Sequence, residues 1–320
     1  MCFHREAAPS DVVAQVRSAE ALGFEEFWVI EDCFYTAGVS LAATALAVTN
    51  DISVGIGIMP AVARNPAITA MEIATLSNLA PGRFHAGIGH GVQEWMEQIG
   101  DRKASPLTVL DETITAVRSL LRGETVTVDG RYVTMTGVTL TPPPTQVPPV
   151  SAGVRGPKSL ELSGRTADGT ILADFCSPEY VRRARKHIAA GASTPAAAAD
   201  HRVTVFASLA LDPIGDGSDA RMAMSYHLAD VLVDAPISLR MAPFYDELAE
   251  RAAATGWLAA VQGMPAEWWP QIAPVGTAED CAAYVNNLAE AGADAIAMFP
   301  NPDEPIEDAE TVTRLLRPLL

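Results

Sequence analysis

The feature that most constrains this chain is its alternation of short apolar runs with amphipathic segments bounded by caps and breakers. That rhythm is the signature of a parallel sheet wrapped by helices. Val13, Val16, Ala19 and Glu20 lie on a helix that stops at Gly23, and residues 24–30 follow as a strand ending in Glu31-Asp32-Cys33. A helix over about residues 39–48 leads to a strand over 52–59. Asn65-Pro66 then opens a helix, with Asn as its cap and Pro at its first position. That helix breaks at Pro81-Gly82, and residues 84–88 form the next strand. A long helix over 103–121 and a hairpin around Asp129-Gly130 interrupt the alternation. It resumes with strands over 150–153, 170–173, 203–211 and 293–299, and residues 212–274 between the last two read as mostly helical. With a first strand at residues 1–4 the count is about eight. The expected fold is a single (β/α)8 TIM barrel over residues 1–320, with insertions after strands four and seven at about 92–147 and 212–274.

Composition narrows the partners. The formal charge of −17 repels nucleic acid and anionic membranes at long range, while leaving room for a small anion held by local donors. Cys2, Cys33, Cys176 and Cys281 are scattered without a CxxC, which gives neither a metal site nor a disulfide framework. No apolar run has the length needed to span a bilayer, and Met1-Cys2-Phe3-His4-Arg5-Glu6 lacks the pattern of a secretory signal. The expectation is a soluble cytoplasmic protein acting on a small molecule.

In such a barrel the strand C-terminal ends and the loops after them carry the chemistry. Four consecutive junctions there are rich in glycine or polar residues. Glu31, Asp32 and Cys33 follow strand two, Gly55, Ile56 and Gly57 lie in strand three, and Gly89-His90-Gly91 closes strand four, with Glu94 and Trp95 just beyond. The fourth is Gly153-Val154-Arg155-Gly156-Pro157-Lys158-Ser159. A glycine-rich turn entering a helix leaves N–H groups pointing at an anion, and Arg155, Lys158 and the Ser159 hydroxyl add donors. This segment reads as a phosphate site, against the plainer alternative of an ordinary helix start. His90 is the candidate general acid or base because imidazole titrates near neutral pH.

Taken together these segments resemble the bacterial-luciferase-like family of flavin and deazaflavin barrels, and within it the oxidoreductases that use coenzyme F420. The resemblance rests on Ala19-Glu20-Ala21-Leu22-Gly23-Phe24, Trp28-Val29-Ile30-Glu31-Asp32, Val54-Gly55-Ile56-Gly57-Ile58-Met59-Pro60 and Arg64-Asn65-Pro66. It continues through residues 81–91, 153–160 and Ala167-Asp168-Gly169, and weakens beyond Val203. It implies a cofactor ring lying across the strand ends. It also implies a non-proline cis peptide in strand three, at Ile56-Gly57 or one bond earlier, and a carboxylate at Asp32 against the ring's polar edge or side chain. Residues 153–159 would hold the cofactor phosphate, and the protein would be a homodimer. The chain departs from the pattern at Cys33, where some members carry His, and near Val92, where sugar-phosphate dehydrogenases carry an acid.

The expected activity is hydride transfer between the deazaflavin C5 and an organic substrate. His90, Cys33 and Glu94 are the catalytic candidates and Trp95 a substrate wall. Asp32, Gly55, Ile56, Gly57, Gly89 and residues 153–159 would bind the cofactor. An FMN-dependent monooxygenase or a non-catalytic cofactor-binding barrel on the same scaffold is the alternative. An aldolase or isomerase barrel would need a Schiff-base lysine or a metal cluster, and only Lys103, Lys158 and Lys186 are available.

Overall fold

The computed structural model describes residues 1–320. Eight strands form one sheet in which hydrogen-bonded neighbours follow chain order: Cys2–Phe3, Glu26–Val29, Ser53–Pro60, Phe84–Gly89, Val150–Gly153, Gly169–Leu172, Arg202–Ser208 and Ala295–Phe299. Helices connect them. The order and the alternation are those of a (β/α)8 barrel. No helix is long and apolar enough to cross a membrane.

The chain divides into two compact units. The first comprises Met1–Ile171 with His187–Arg202. Its parallel register runs Cys2 to Trp28, Glu26 to Ser53, Val54 to Phe84, Ala86 to Val150 and Ser151 to Gly169. Phe3, Phe27, Trp28, Ile56 and Phe84 are almost wholly buried in it. The helices over Gly38–Ala47 and Pro66–Leu79 flank the third strand, and the Asn65 side chain accepts the Ala67 amide at 2.9 Å as the anticipated cap.

After the fourth strand come helices Gln93–Gln98 and Pro106–Leu121 and the hairpin Val126–Asp129/Thr134–Val138. The long helix begins at Pro106 rather than residue 103, because proline takes the first helical position. The hairpin loop is also longer than the two residues expected at Asp129-Gly130, since Asp129 pairs with Thr134. Glu112 explains the longer loop. Its carboxylate accepts the amides of Arg131, Tyr132 and Val133 at 2.8, 2.8 and 2.9 Å, holding a four-residue turn that the dipeptide alone does not specify.

The second unit comprises Leu172–Lys186 with Val203–Leu320. Its strands Arg202–Ser208 and Ala295–Phe299 pair in parallel, with Thr204 opposite Ala295. The anticipated strand over 203–211 breaks after Ser208, and Ala210–Leu211 turns away to pair with Val275–Gly276. The segment read as mostly helical contains helices Ser218–Val233, Ile237–Arg240, Tyr245–Thr255 and Trp257–Gln262. They enclose a separate apolar core built on Leu228, Leu232, Leu239, Leu248, Val261, Trp269 and Ile272.

Candidate active site

Every residue anticipated for the site belongs to the first unit. In the third strand the register with the fourth shifts between Ile56 and Met59, leaving Gly57 and Ile58 as the unpaired bulge. The non-proline cis peptide lies at Gly57-Ile58, one bond later than expected, between those two unpaired residues. A second non-proline cis bond, absent from the sequence reading, joins Cys33 and Phe34.

The bulge changes the meaning of the neighbouring glycines. A Cβ on Gly89 or Gly153 would run into the Ile58 side chain, and one on Gly87 would stand 2.8 Å from it. These positions are small because Ile58 lies over them. Gly55 is likewise covered by the Trp28 ring, and Ile56 is fully buried. Gly55, Ile56, Gly89 and Gly153 are thus occupied by protein packing, which leaves Gly57 as the glycine of the bulge itself.

The loop after strand two is fastened by an ion cluster that the sequence reading missed. Glu31 is buried, and Arg64 donates to both of its oxygens, through Nη1 to Oε1 and through Nη2 to Oε2 at 3.0 Å. Glu31 Oε2 also accepts the Gly38 amide at 3.0 Å, so one carboxylate joins both ends of residues 32–37. Arg64 Nε stands 3.3 Å from Glu72 Oε2. This is an ion pair without hydrogen-bond alignment, and that buried oxygen accepts no hydrogen bond. Burial raises the Glu72 acid above the usual carboxylate range despite Arg64, with Glu31 pushing the same way. Asp32 accepts Arg5 Nη1 at 2.9 Å, and the same guanidinium lies 4.8 Å over the Tyr35 ring. Burial, then Glu31 and Asp32, raise the Cys33 thiol above its ordinary value. It is therefore a protonated thiol at neutral pH, unsuited to nucleophilic attack.

His90 is half-buried, and both of its nitrogens have partners. Nδ1 lies 3.3 Å from the Pro106 carbonyl and Nε2 lies 3.0 Å from Ser159 Oγ. Burial lowers its pKa, against the pull of the Pro106 carbonyl, so the ring is neutral near pH 7. Glu94 is exposed on the first turn of the short helix Gln93–Gln98, Trp95 is half-buried, and Met96 packs beneath Gly91.

Gly156 precedes the helix Pro157–Thr166, whose start no side chain caps. Pro157 contributes no N–H, so the forward-pointing amides are those of Lys158 and Ser159. A Cβ on Gly156 would meet nothing within 4 Å, which marks open space beside this turn. Arg155 and Lys158 are exposed, Val154 is buried, and the Val154 amide donates to the Ile171 carbonyl at 3.3 Å. Backbone amides, a hydroxyl and two cations beside open space make a donor set suited to a phosphate.

A sheet of this order, with helices between its strands, defines the class of (β/α)8 barrels. The chain belongs to the luciferase-like monooxygenase family, whose profile matches residues 3–295. Among its relatives, the 5,10-methylenetetrahydromethanopterin reductase of Methanolobus tindarius is 32% identical over 306 residues, covering 91% of this chain and 92% of that protein. The F420-dependent glucose-6-phosphate dehydrogenase of Beutenbergia cavernae is 31% identical over 177 residues, 51% of this chain and 52% of that one. In fold, the coenzyme F420-dependent tetrahydromethanopterin reductase of Methanopyrus kandleri superposes with a TM-score of 0.79 at 20% identity, covering 99% of this chain and 97% of that chain.

Proposed function

We propose that this protein is an F420-dependent oxidoreductase that exchanges a hydride with a small organic substrate. The observation that carries the reading is the near end-to-end likeness, at 32% identity, to a methylenetetrahydromethanopterin reductase. When bound, the deazaflavin supplies the hydride chemistry at its C5. The chain's residues bind and orient. Lys158 and Ser159 offer amides to the phosphate, and Arg155 and Lys158 offset its charge. Asp32, steadied by Arg5, presents a carboxylate to the polar edge or side chain of the ring. The Gly57-Ile58 bulge forms the surface behind it. Trp95 walls the substrate side, and Glu94 rather than Cys33 is placed to exchange a proton with solvent.

Titrating the purified protein with F420 and with FMN tests this reading. Saturable F420 binding, with FMN bound weakly or not at all, supports it. Tight FMN binding without F420 binding overturns it in favour of a flavin monooxygenase.

The protein acts in the cytoplasm as a homodimer in this reading. Two copies that each carry −17 repel at long range, and a contact where charge is absent lessens that repulsion. Helix Gly38–Ala47 has no charged residue. Helix Pro66–Leu79, packed beside it, exposes Ile68, Met71 and Leu79, and its one charged residue is the Glu72 engaged by Arg64. This neutral face is the proposed contact with the second copy.

A further inference from the structure

His90 stands between two fixed partners, and their chemistry dictates where its protons lie. The Pro106 carbonyl can only accept, so Nδ1 carries a hydrogen and donates to it across 3.3 Å. In the neutral ring Nε2 is then an acceptor, and the Ser159 hydroxyl must donate to it across 3.0 Å. The one hydrogen of Ser159 Oγ is thereby turned toward His90 and away from any anion at the helix start. A phosphate has no hydrogen to offer and needs that hydroxyl as a donor. When Ser159 turns its hydrogen to a phosphate and keeps its contact with His90, its oxygen accepts a hydrogen from Nε2 instead. With Nδ1 still held by Pro106, that ring is the imidazolium.

We infer that His90 is a proton-linked positioning residue of the cofactor-phosphate turn: phosphate binding draws one proton onto Nε2, which then donates to Ser159 Oγ while Ser159 donates to the phosphate. The proton comes from solvent, no covalent bond forms or breaks, and the charge gained partly offsets the phosphate charge. The inference rests on the reading that residues 153–159 hold a cofactor phosphate. It moves His90 from hydride chemistry to control of cofactor affinity.

The surroundings favour a coupling of this kind. The helix Pro157–Thr166 brings Lys158, with Arg155 just before it; Gln93–Gln98 brings Glu94 and Glu97; Pro106–Leu121 brings Asp111 and Glu112, with Lys103 just before it. The titration of His90 is governed chiefly by burial, which lowers it, against the pull of the Pro106 carbonyl. The group that most changes its surroundings on binding is therefore the phosphate. Because the loaded turn holds one more proton on His90 than the empty one, the linkage has a definite sign. Affinity is highest at acid pH and falls as pH rises through the window between the empty-site and loaded pKa values, by about tenfold for each pH unit that separates the two.

The test is calorimetric titration with F420, and separately with FMN, in two non-phosphate buffers of unlike ionisation enthalpy from about pH 6 to about pH 8. His90→Gln keeps a permanent donor toward Ser159 but cannot titrate, so the wild-type uptake is read as its excess over this variant, which also removes any proton the ligand itself exchanges. The expected result is excess uptake approaching one proton near neutral pH and an affinity that falls with pH. His90→Gln should bind with a flat profile, and Ser159→Ala should bind more weakly, also without excess uptake. Binding of either cofactor without excess uptake overturns the inference. If FMN alone binds and draws the proton, the deazaflavin reading fails and the His90 inference stands. If neither binds, both fall.

Discussion

Removing Arg64 should cost stability in a pH-dependent way, because it takes the shared cation from the buried Glu31 and the half-buried Glu72. The structure sets the size. Glu31 and Arg64 side chains are 9% and 23% exposed, and the guanidinium makes two hydrogen bonds to one carboxylate and an ion pair to the other. Breaking a buried pair on one side costs ~3–5 kcal/mol, and the lower end applies where water reaches part of the cluster. Arg64→Met should therefore lose about 3 kcal/mol near pH 7.5 in urea unfolding. The Glu72 acid is already raised in the folded protein, and losing Arg64 raises it further. A carboxyl whose folded pKa exceeds its unfolded value opposes folding while charged, and the fold regains that stability as pH falls through the folded value. The deficit of Arg64→Met against wild type should shrink toward about pH 5. Arg64→Lys, which keeps the charge but loses the two-pronged contact, should lose less. Because Glu31 also holds the Gly38 amide, folded Arg64→Met should bind F420 more weakly as well. A deficit below about 1 kcal/mol, or one that stays constant with pH, would refute the reasoning.

Three further outcomes follow from the same structure. Gly89→Ala should destabilise by ~1–3 kcal/mol, since its methyl group would run into Ile58 and stand 2.9 Å from the Gly153 carbonyl; Ile58→Ala in the same chain should recover part of the loss in thermal melts. Glu112→Gln should loosen residues 130–133 in amide exchange. In wild type, hydrogen bonds from three amides outweigh burial and hold the Glu112 acid below the usual carboxylate range. Its contribution is therefore full above the unfolded carboxylate pKa and lost as pH falls toward the folded one, and the difference between variant and wild type should narrow in acid. Met71→Glu, placed on the uncharged helical face, should halve the mass seen in sedimentation; an unchanged mass would remove that face as the contact between copies.

The sheet was legible in the sequence because strand and helix periodicities differ, and because Asn65-Pro66, Pro81-Gly82 and Gly23 punctuate them. The family was legible because its motifs recur in order at the strand ends. Contacts between distant positions were not. Arg64 meets Glu31 across 33 residues and His90 meets Ser159 across 69, and no local pattern signals either pairing. An acid beside Asp32 and an arginine before a proline-started helix were the only hints of the ion cluster. The glycines carry two meanings for a physical reason. Smallness at Gly55, Gly89 and Gly153 reads equally as room for a ligand or room for a side chain, and Trp28 and Ile58 take that room. The cis bond moved by one residue because the bulge sits at Gly57 and Ile58, and a register shift between strands leaves no mark in either strand alone. In the hairpin, Glu112 overrode the preference of Asp129-Gly130 from a helix earlier in the chain.

The most direct measurement is amide hydrogen exchange across residues 153–160, compared for F420 and for its deazaflavin ring and ribityl chain without the phosphate. F420 should slow exchange at Lys158 and Ser159, with the phosphate-free compound leaving both unchanged. Saturating F420 with no protection there, or equal protection by both compounds, would contradict it.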